Sequence, residues 1–356
     1  MKTIHIIIFG IGNVGSTLIT QIIEADARLR SSGVVIKIPI IANSTSVFFN
    51  TDDLSTNWQT DFEQFSIPYK MDEILAYIRT QNYENPIVID ATASSQFIRH
   101  YVNFVESGCH IVSANKLANT MHYEFYKNLR TTLKKHKKHF HYETNVGAGL
   151  PIIGTIKHLY ESGERIHRIR GVFSGSLSYV FNRFSSEDES FSKILANASR
   201  LGLTEPDARE DLSGNDVARK LLILARELGL KTEFQSIKIE SLVPKQLNGK
   251  TTVHQFNSRI KELDKLFLKR KLELSENQVL RYVGELDVEA NVLEVKLISE
   301  ASQSVLGQLK GADSIFEIFT ESYGEKPLVV QGAGAGRDVT ARGVLSDIVK
   351  LSSQLN

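Results

Sequence analysis

Five carboxylates, Glu205, Asp207, Glu210, Asp211 and Asp216, precede Lys220 within sixteen residues, in the stretch LTEPDAREDLSGNDVARK at 203–220. Val217, Leu221, Leu224 and Leu228 are spaced as the apolar stripe of a helix over roughly Asp216–Gly229. Asp216 and Lys220 stand four apart on one flank of that stripe, where their side chains can meet. A solvated ion pair has the same spacing and contributes under ~1 kcal/mol. The crowd of carboxylates beside a helix start suggests more. Carboxylates recognise an ammonium group, and a lysine next to them can exchange a proton, a combination suited to an amino-acid alcohol.

A second signature lies near the N-terminus, where Gly10, Ile11, Gly12, Asn13, Val14 and Gly15 separate the apolar run Ile4–Phe9 from a helical pattern over Thr17–Ala25. Gly10 allows a tight turn, Gly12 lets the backbone approach a pyrophosphate, and Gly15 permits close helix–strand packing. The amides of the following helix would face the anion. The next strand, Val34–Ala42, runs into Asn43-Ser44-Thr45-Ser46, which holds neither the acid that binds ribose hydroxyls nor the arginine that takes a 2′-phosphate. The cofactor expectation is therefore NADP, or both NADP and NAD. Thr92, Ala93, Ser94 and Ser95, and then Ser113, Ala114, Asn115 and Lys116, follow later strands, where a nicotinamide would lie. Lys116 there could orient a carboxylate or polarise a carbonyl.

The elements that must position these groups change character along the chain. Strand-like segments at Ile87–Asp90, His110–Ser113 and His139–Glu143 alternate with helical ones at Met71–Thr80, Ser95–Ser107 and His122–His136. This predicts an α/β fold, a Rossmann-type doubly wound parallel sheet with helices on both faces. Pro39 within the second strand hints at an irregularity, and Asn50–Tyr69 reads as a surface excursion. After Pro151, which can start a helix to about Glu161, a strand at Ile166–Phe173 and helices at Ser192–Arg200 and Asp216–Gly229 lead into strands at Leu280–Glu289, Val292–Ile298, Phe316–Ser322 and Leu328–Gln331. These suggest a second, mixed α/β domain. Val339–Gln354 reads as an amphipathic helix. The expected organisation is a dinucleotide domain over about 1–145, a substrate and dimerisation domain over 146–320, and a segment over 321–356 that returns to complete the first.

Of the 356 residues 42% are hydrophobic and 23% charged, ample apolar mass for a core and too much for intrinsic disorder. Lys plus Arg number 42 against 41 Asp plus Glu, a balance that disfavours a nucleic-acid binder. The basic run Lys134–His139 reads as a solvated helix end. No stretch approaches the ~20 apolar residues of a membrane span, and the N-terminus reads as a buried strand, not a signal peptide. A cytoplasmic protein is expected. Cys109 is the single cysteine, which excludes an intrachain disulfide and a cysteine-rich zinc site.

Taken together these stretches resemble homoserine dehydrogenase. The resemblance rests on Gly10–Gly15, Ser113–Lys116, ETNVGAGLPII at 143–153, GVFSGSLSYVFN at 171–182, Gly202–Lys220 and QGAGAGRDVTARGV at 331–344, in family order over nearly the whole chain. It implies NAD(P)-dependent interconversion of L-homoserine and L-aspartate 4-semialdehyde, in threonine and methionine biosynthesis, by a homodimer. It implies that Lys220 is the proton donor and acceptor, with Lys116 as second lysine of the reaction centre. Asp216 would orient Lys220, and Glu205, Asp216, Asp211 and Lys116 would bind substrate. Thr92–Ser94, Asn115, Lys116, Gly202 and Gly336 would join the glycine turn at the cofactor. Glu143, Val146, Ala148 and Leu150 would form a monovalent-cation site for Na⁺. Family members often carry an arginine where Thr45 stands, and the C-terminal ACT-type domain of many single-function members is not expected here. Two other readings compete. One is aspartate-semialdehyde dehydrogenase, which needs a nucleophilic cysteine that only Cys109 could supply. The other is a catalytically silent nucleotide sensor on the same fold.

Overall fold

An isoleucine-rich run buried on both faces seeds the first sheet: β1 (Lys2–Phe9) carries Ile4, Ile6, Ile7 and Ile8, all fully buried. The computed structural model describes residues 1–50, 56–249 and 251–355. It divides into two units, Met1–Gly149 with Gly336–Asn356, and Leu150–Ala335. In the first unit β2 (Val34–Ala42), β1, β5 (Pro86–Asp90), β6 (His110–Ser113) and β7 (Phe140–His141) pair parallel in that spatial order. β3 (Ser46–Phe49) and β4 (Ile67–Pro68) extend the β2 edge antiparallel. Pro39 does mark an irregularity: the β1–β2 register jumps between the His5–Lys37 and Ile7–Ile40 pairs.

Several elements differ from the reading of the sequence for identifiable reasons. The first helix spans Asn13–Ser31, continuing past Ala25 through polar residues that an exposed Asp26–Arg30 pair at 2.7 Å supports. The Asn50–Tyr69 excursion contains a helix, Trp58–Phe65, whose Trp58 and Phe62 are buried in the core with Leu18, Ile22 and Ile348. Eight residues are too few to show a period; positions 51–55 lie outside the described residues. The stretch read as a helix over Ser95–Ser107 is a 3₁₀ turn, Phe97–His100, followed by a short helix, Tyr101–Glu106. The strand read over His139–Glu143 shrinks to β7 and gives way to a 3₁₀ turn at Glu143–Asn145. The helix Arg337–Gln354 packs on Asn13–Ser31, burying Ala341, Val344, Leu345, Ile348 and Leu351 in the same core.

In the second unit a mixed sheet runs β13 (Leu328–Gly332), β12 (Ser314–Thr320), β8 (Ile166–Val172), β10 (Gln278–Asp287), β11 (Val292–Ala301) and β9 (Lys238–Ile239). All neighbours are antiparallel except β11 and β9. The helix Gly175–Ser186 was not apparent in the sequence, because GSLS opens it with weak helix formers. Ser174 caps it, its side chain accepting from the Leu177 amide at 3.3 Å, and Leu177, Val180, Phe181 and Phe184 bury its inner face. Among the described residues no helix is long and apolar enough to cross a membrane.

Candidate active site

The glycine turn after β1 has the geometry of an anion cradle. Gly10 holds φ +93°, and a Cβ there would lie 2.8 Å from the Ala91 backbone. A Cβ on Gly15 would fall 1.9 Å from the Gly10 carbonyl oxygen, so the helix can start this close to the strand only with glycine. Gly12 is different. Among the described residues nothing lies within 4 Å of its would-be Cβ, so their packing gives no reason for glycine there. The Asn13–Ser31 helix has no side-chain cap and no acid in its first turn, which leaves its N-terminal dipole open to an anion. This unit therefore fits a dinucleotide pyrophosphate. At the end of β2, Asn43 Oδ1 accepts from the Thr45 and Ser46 amides at 2.8 and 2.7 Å, and Ser44 and Thr45 are exposed.

The turns after β5 and β6 are fastened to one buried carboxylate that the sequence reading missed. Asp90, fully buried, accepts from the Thr92 amide at 2.8 Å, the Tyr101 hydroxyl at 2.7 Å and Asn115 Nδ2 at 3.0 Å. Burial pushes its carboxyl above the usual range against the lowering by these bonds. Asn115 also donates to the Ser94 carbonyl at 3.1 Å, tying the Thr92–Ser95 turn to the Ser113–Lys116 turn. Its side chain is thus spent on positioning. Lys116, half-buried, precedes the short helix Leu117–Thr120. An acid at a strand end was visible in the sequence, but its three donors come from separate segments.

In the second unit Lys220 is seated by glycines. Gly284 on β10 would place a Cβ 3.0–3.1 Å from the side chains of Val217 and Leu221, so the Asn215–Glu227 helix lies close against the sheet. Gly214, at φ +76°, precedes that helix, and any Cβ there would meet the Tyr282 hydroxyl at 2.2 Å. Lys220 is 7% exposed; its Nζ donates to the Phe173 carbonyl at 2.7 Å and lies 2.8 Å from Asp216 Oδ2. Among the described residues these two partners occupy two of its three donors and leave one for a ligand oxygen. The Phe173 carbonyl, just before the Ser174 cap of the Gly175–Ser186 helix, carried no signal that residue types could give.

The five carboxylates separate into distinct tasks. Asp207 caps the short helix Ala208–Leu212 and takes the Arg209 guanidinium at 2.6–3.0 Å, so it is structural. Asp211 accepts from the Ser176 hydroxyl at 2.6 Å and from the Glu205 amide at 2.8 Å, which fixes the loop bearing Glu205. Burial pushes the Asp211 carboxyl up, the charge of Asp216 adding to this and the two hydrogen bonds opposing it. Glu205 and Glu210 are exposed, and the Asp216 side chain is about half exposed. Gly202, at φ +70°, follows the Phe191–Arg200 helix, with its amide donating to the Ser199 carbonyl at 3.0 Å. Gly336, at φ +120°, precedes the uncapped Arg337–Gln354 helix.

The turn after β7 presents oxygen donors. Gly147 and Ala148 hold φ +77° and +52°, and the Glu143 amide donates to the buried Asp347 carboxylate at 2.9 Å. Glu143, Val146 and Ala148 belong to the first unit. Leu150 opens the second, where its carbonyl accepts from the Ile152 amide at 2.9 Å. Within the first unit, a carboxylate with the backbone carbonyls of Val146 and Ala148 has the chemistry that suits a hard cation.

Cys109 is fully buried, and burial pushes its thiol up to about 12. It cannot serve as the nucleophile that aspartate-semialdehyde dehydrogenase chemistry needs. Cys109→Ala is expected to keep turnover within about twofold of the parent; loss of all activity in a steady-state assay would restore that competing reading.

Comparison with known proteins adds independent findings. The family model described as "Homoserine dehydrogenase, NAD binding domain" matches residues 10–143, and that described as "Homoserine dehydrogenase" matches 151–349. The chain is 39% identical over 355 residues to a bifunctional aspartokinase/homoserine dehydrogenase of Buchnera aphidicola, covering 99% of this chain but 43% of that protein. It thus spans about two fifths of the length of such bifunctional relatives. It is 35% identical over 377 residues to a homoserine dehydrogenase of Paracoccidioides brasiliensis, covering 100% of this chain and 99% of the other. A Candida auris protein of unknown function, solved by crystallography, superposes with a TM-score of 0.91 at 35% identity, over 100% of this chain and 99% of that one.

Proposed function

Because the chain belongs to the homoserine dehydrogenase family, we propose that it interconverts L-homoserine and L-aspartate 4-semialdehyde with NADP or NAD, in threonine and methionine biosynthesis. One observation carries the reading: Lys220 is buried with its amine held between the Phe173 carbonyl and Asp216, beside a loop rich in carboxylates. The bound dinucleotide supplies or takes up the hydride. Lys220 gives a proton to the alkoxide oxygen in reduction and removes it from the hydroxyl in oxidation, as a general acid and base. Asp216 orients the amine. Glu205 binds the substrate ammonium, selecting an amino acid over a plain aldehyde, and Asp211 and Lys116 complete the substrate contacts.

Gly10–Gly15 cradle the pyrophosphate, with Thr92, Ala93, Ser94, Asn115, Gly202 and Gly336 as further cofactor contacts. The Ser44 and Thr45 hydroxyls suit the ribose without rejecting a 2′-phosphate, so either dinucleotide is accepted. Na⁺ suits the oxygen donors of Glu143, Val146, Ala148 and Leu150. The same reading carries a cytoplasmic homodimer that binds no nucleic acid.

The test is an assay of the purified protein with homoserine and either cofactor, followed by reduced-nicotinamide absorbance; no cofactor reduction with either one overturns the proposal. Glu205→Ala is expected to raise the Michaelis constant for homoserine about tenfold or more, the loss of one charged hydrogen bond, with a smaller change in turnover. An unchanged Michaelis constant would remove Glu205 from the substrate contacts.

A further inference from the structure

We propose that the second unit carries a binding site for a small oxyanion, a carboxylate or a phosphate, in the cavity where Arg281, Lys310, Tyr179 and Ser185 meet. None of the residues assigned to the reaction lines it. The cavity holds about 350 Å³ between the Gly175–Ser186 helix, β10 and the loop before β12. That is enough for a small metabolite.

Its charge is one-sided. Arg183, Arg281 and Lys310 contribute to the lining, and among the described lining residues there is no carboxylate. Arg183 is cancelled, its guanidinium forked on Glu187 at 2.7 and 2.5 Å. Arg281 is not. It is 3% exposed and donates to the carbonyls of Leu280 at 2.8 Å, Leu306 at 2.8 Å, Gly307 at 2.6 Å and Leu309 at 3.4 Å. Among the described residues no carboxylate stands within ion-pair distance of it. Glu300, whose charge acts on it, is itself held by Arg170 at 3.3 Å. Carbonyl dipoles satisfy N–H groups without neutralising the cation, so a buried positive charge faces the cavity without a counter-ion. Burial lowers the guanidinium pKa to about 10, which leaves it charged at neutral pH. Lys310 is exposed and likewise pairs with no carboxylate among the described residues.

The hydrogen-bond inventory has the same bias. Tyr179 Oη accepts from Arg183 at 2.8 Å, and Ser185 Oγ accepts from the Leu280 amide at 2.9 Å. Neither hydroxyl hydrogen has an acceptor among the described residues, so both are available to donate. Surplus positive charge with surplus donors is the complement of a carboxylate or phosphate, and charge-assisted bonds of this type are the strong ones. A cationic ligand would meet the wrong sign.

The test is calorimetric titration of the full chain at constant ionic strength. Saturating NADP⁺ is present, so that added anions do not report the glycine turn. Inorganic phosphate is titrated in one arm and succinate in the other, and each is repeated on the double variant Lys310→Gln/Tyr179→Phe, which alters only the cavity rim. One saturable site is expected, at least about tenfold weaker in the variant, the loss of one charge-assisted bond. Saturation by phosphate alone assigns a phosphate ligand, by succinate alone a carboxylate, and by both the shared oxyanion chemistry. No saturable binding in either arm, or equal affinity in parent and variant, overturns the site.

Discussion

Lys220→Ala is expected to lower turnover with homoserine at least about 100-fold, the lower range for general acid–base catalysis, while dinucleotide affinity stays unchanged. The amine sits on the Asn215–Glu227 helix at 7% exposure, bonded to the Phe173 carbonyl and paired with Asp216. Alanine removes the proton carrier and its ion pair with Asp216, and it changes no residue of the glycine turn. Stopped-flow rates and nicotinamide fluorescence titration separate the two effects. A variant that retains most homoserine oxidation ends the assignment of Lys220. A parent that binds NADP but turns over no homoserine would instead favour the silent sensor.

Gly15→Ala is expected to abolish measurable dinucleotide binding and to destabilise the protein by about 1–3 kcal/mol, the usual effect of overpacking. The added methyl would lie 1.9 Å from the Gly10 oxygen, so either the helix backs away from β1 or the turn rearranges. Gly12→Ala separates folding from binding. Its methyl enters open space at φ −71°, so thermal stability should stay near the parental value while affinity falls about tenfold or more through the blocked approach of the pyrophosphate. If Gly15→Ala binds NADP as tightly as the parent, the turn is not the nucleotide cradle. Equal destabilisation by both variants would show that Gly12 also serves packing.

The parts of this molecule legible from sequence are those whose signal is local. The isoleucine run of β1 and the glycine spacing after it announce a buried strand meeting a helix, and the structure has both, the helix running longer at both ends than its apolar pattern. The i,i+4 spacing of Asp216 and Lys220 puts their charged ends 2.8 Å apart. What escaped depends on partners remote in the chain. Trp58–Phe65 is too short for periodicity, and Gly175–Ser186 is helical because its apolar face is buried despite weak intrinsic propensity. Asp207 and Asp211 look alike in sequence. Only the fold shows one held by Arg209 and the other by Ser176 and the Glu205 amide. A backbone acceptor such as the Phe173 carbonyl has no residue-type signature at all.

The first unit takes its core from both ends of the described chain. Ile4 and Leu18 share it with Val344, Ile348 and Leu351, while Lys2 Nζ donates to the Ser352 and Leu355 carbonyls. During synthesis, the Met1–Gly149 part of this unit therefore waits with its apolar floor uncovered until more than three hundred further residues have been added, counting from Leu18 to Leu351. Over that interval the intervening unit can already have folded, since domains fold as units. A pulse-labelled ribosome-bound intermediate should thus acquire protease resistance in Leu150–Ala335 before Met1–Gly149, the later-made segment ahead of the earlier one.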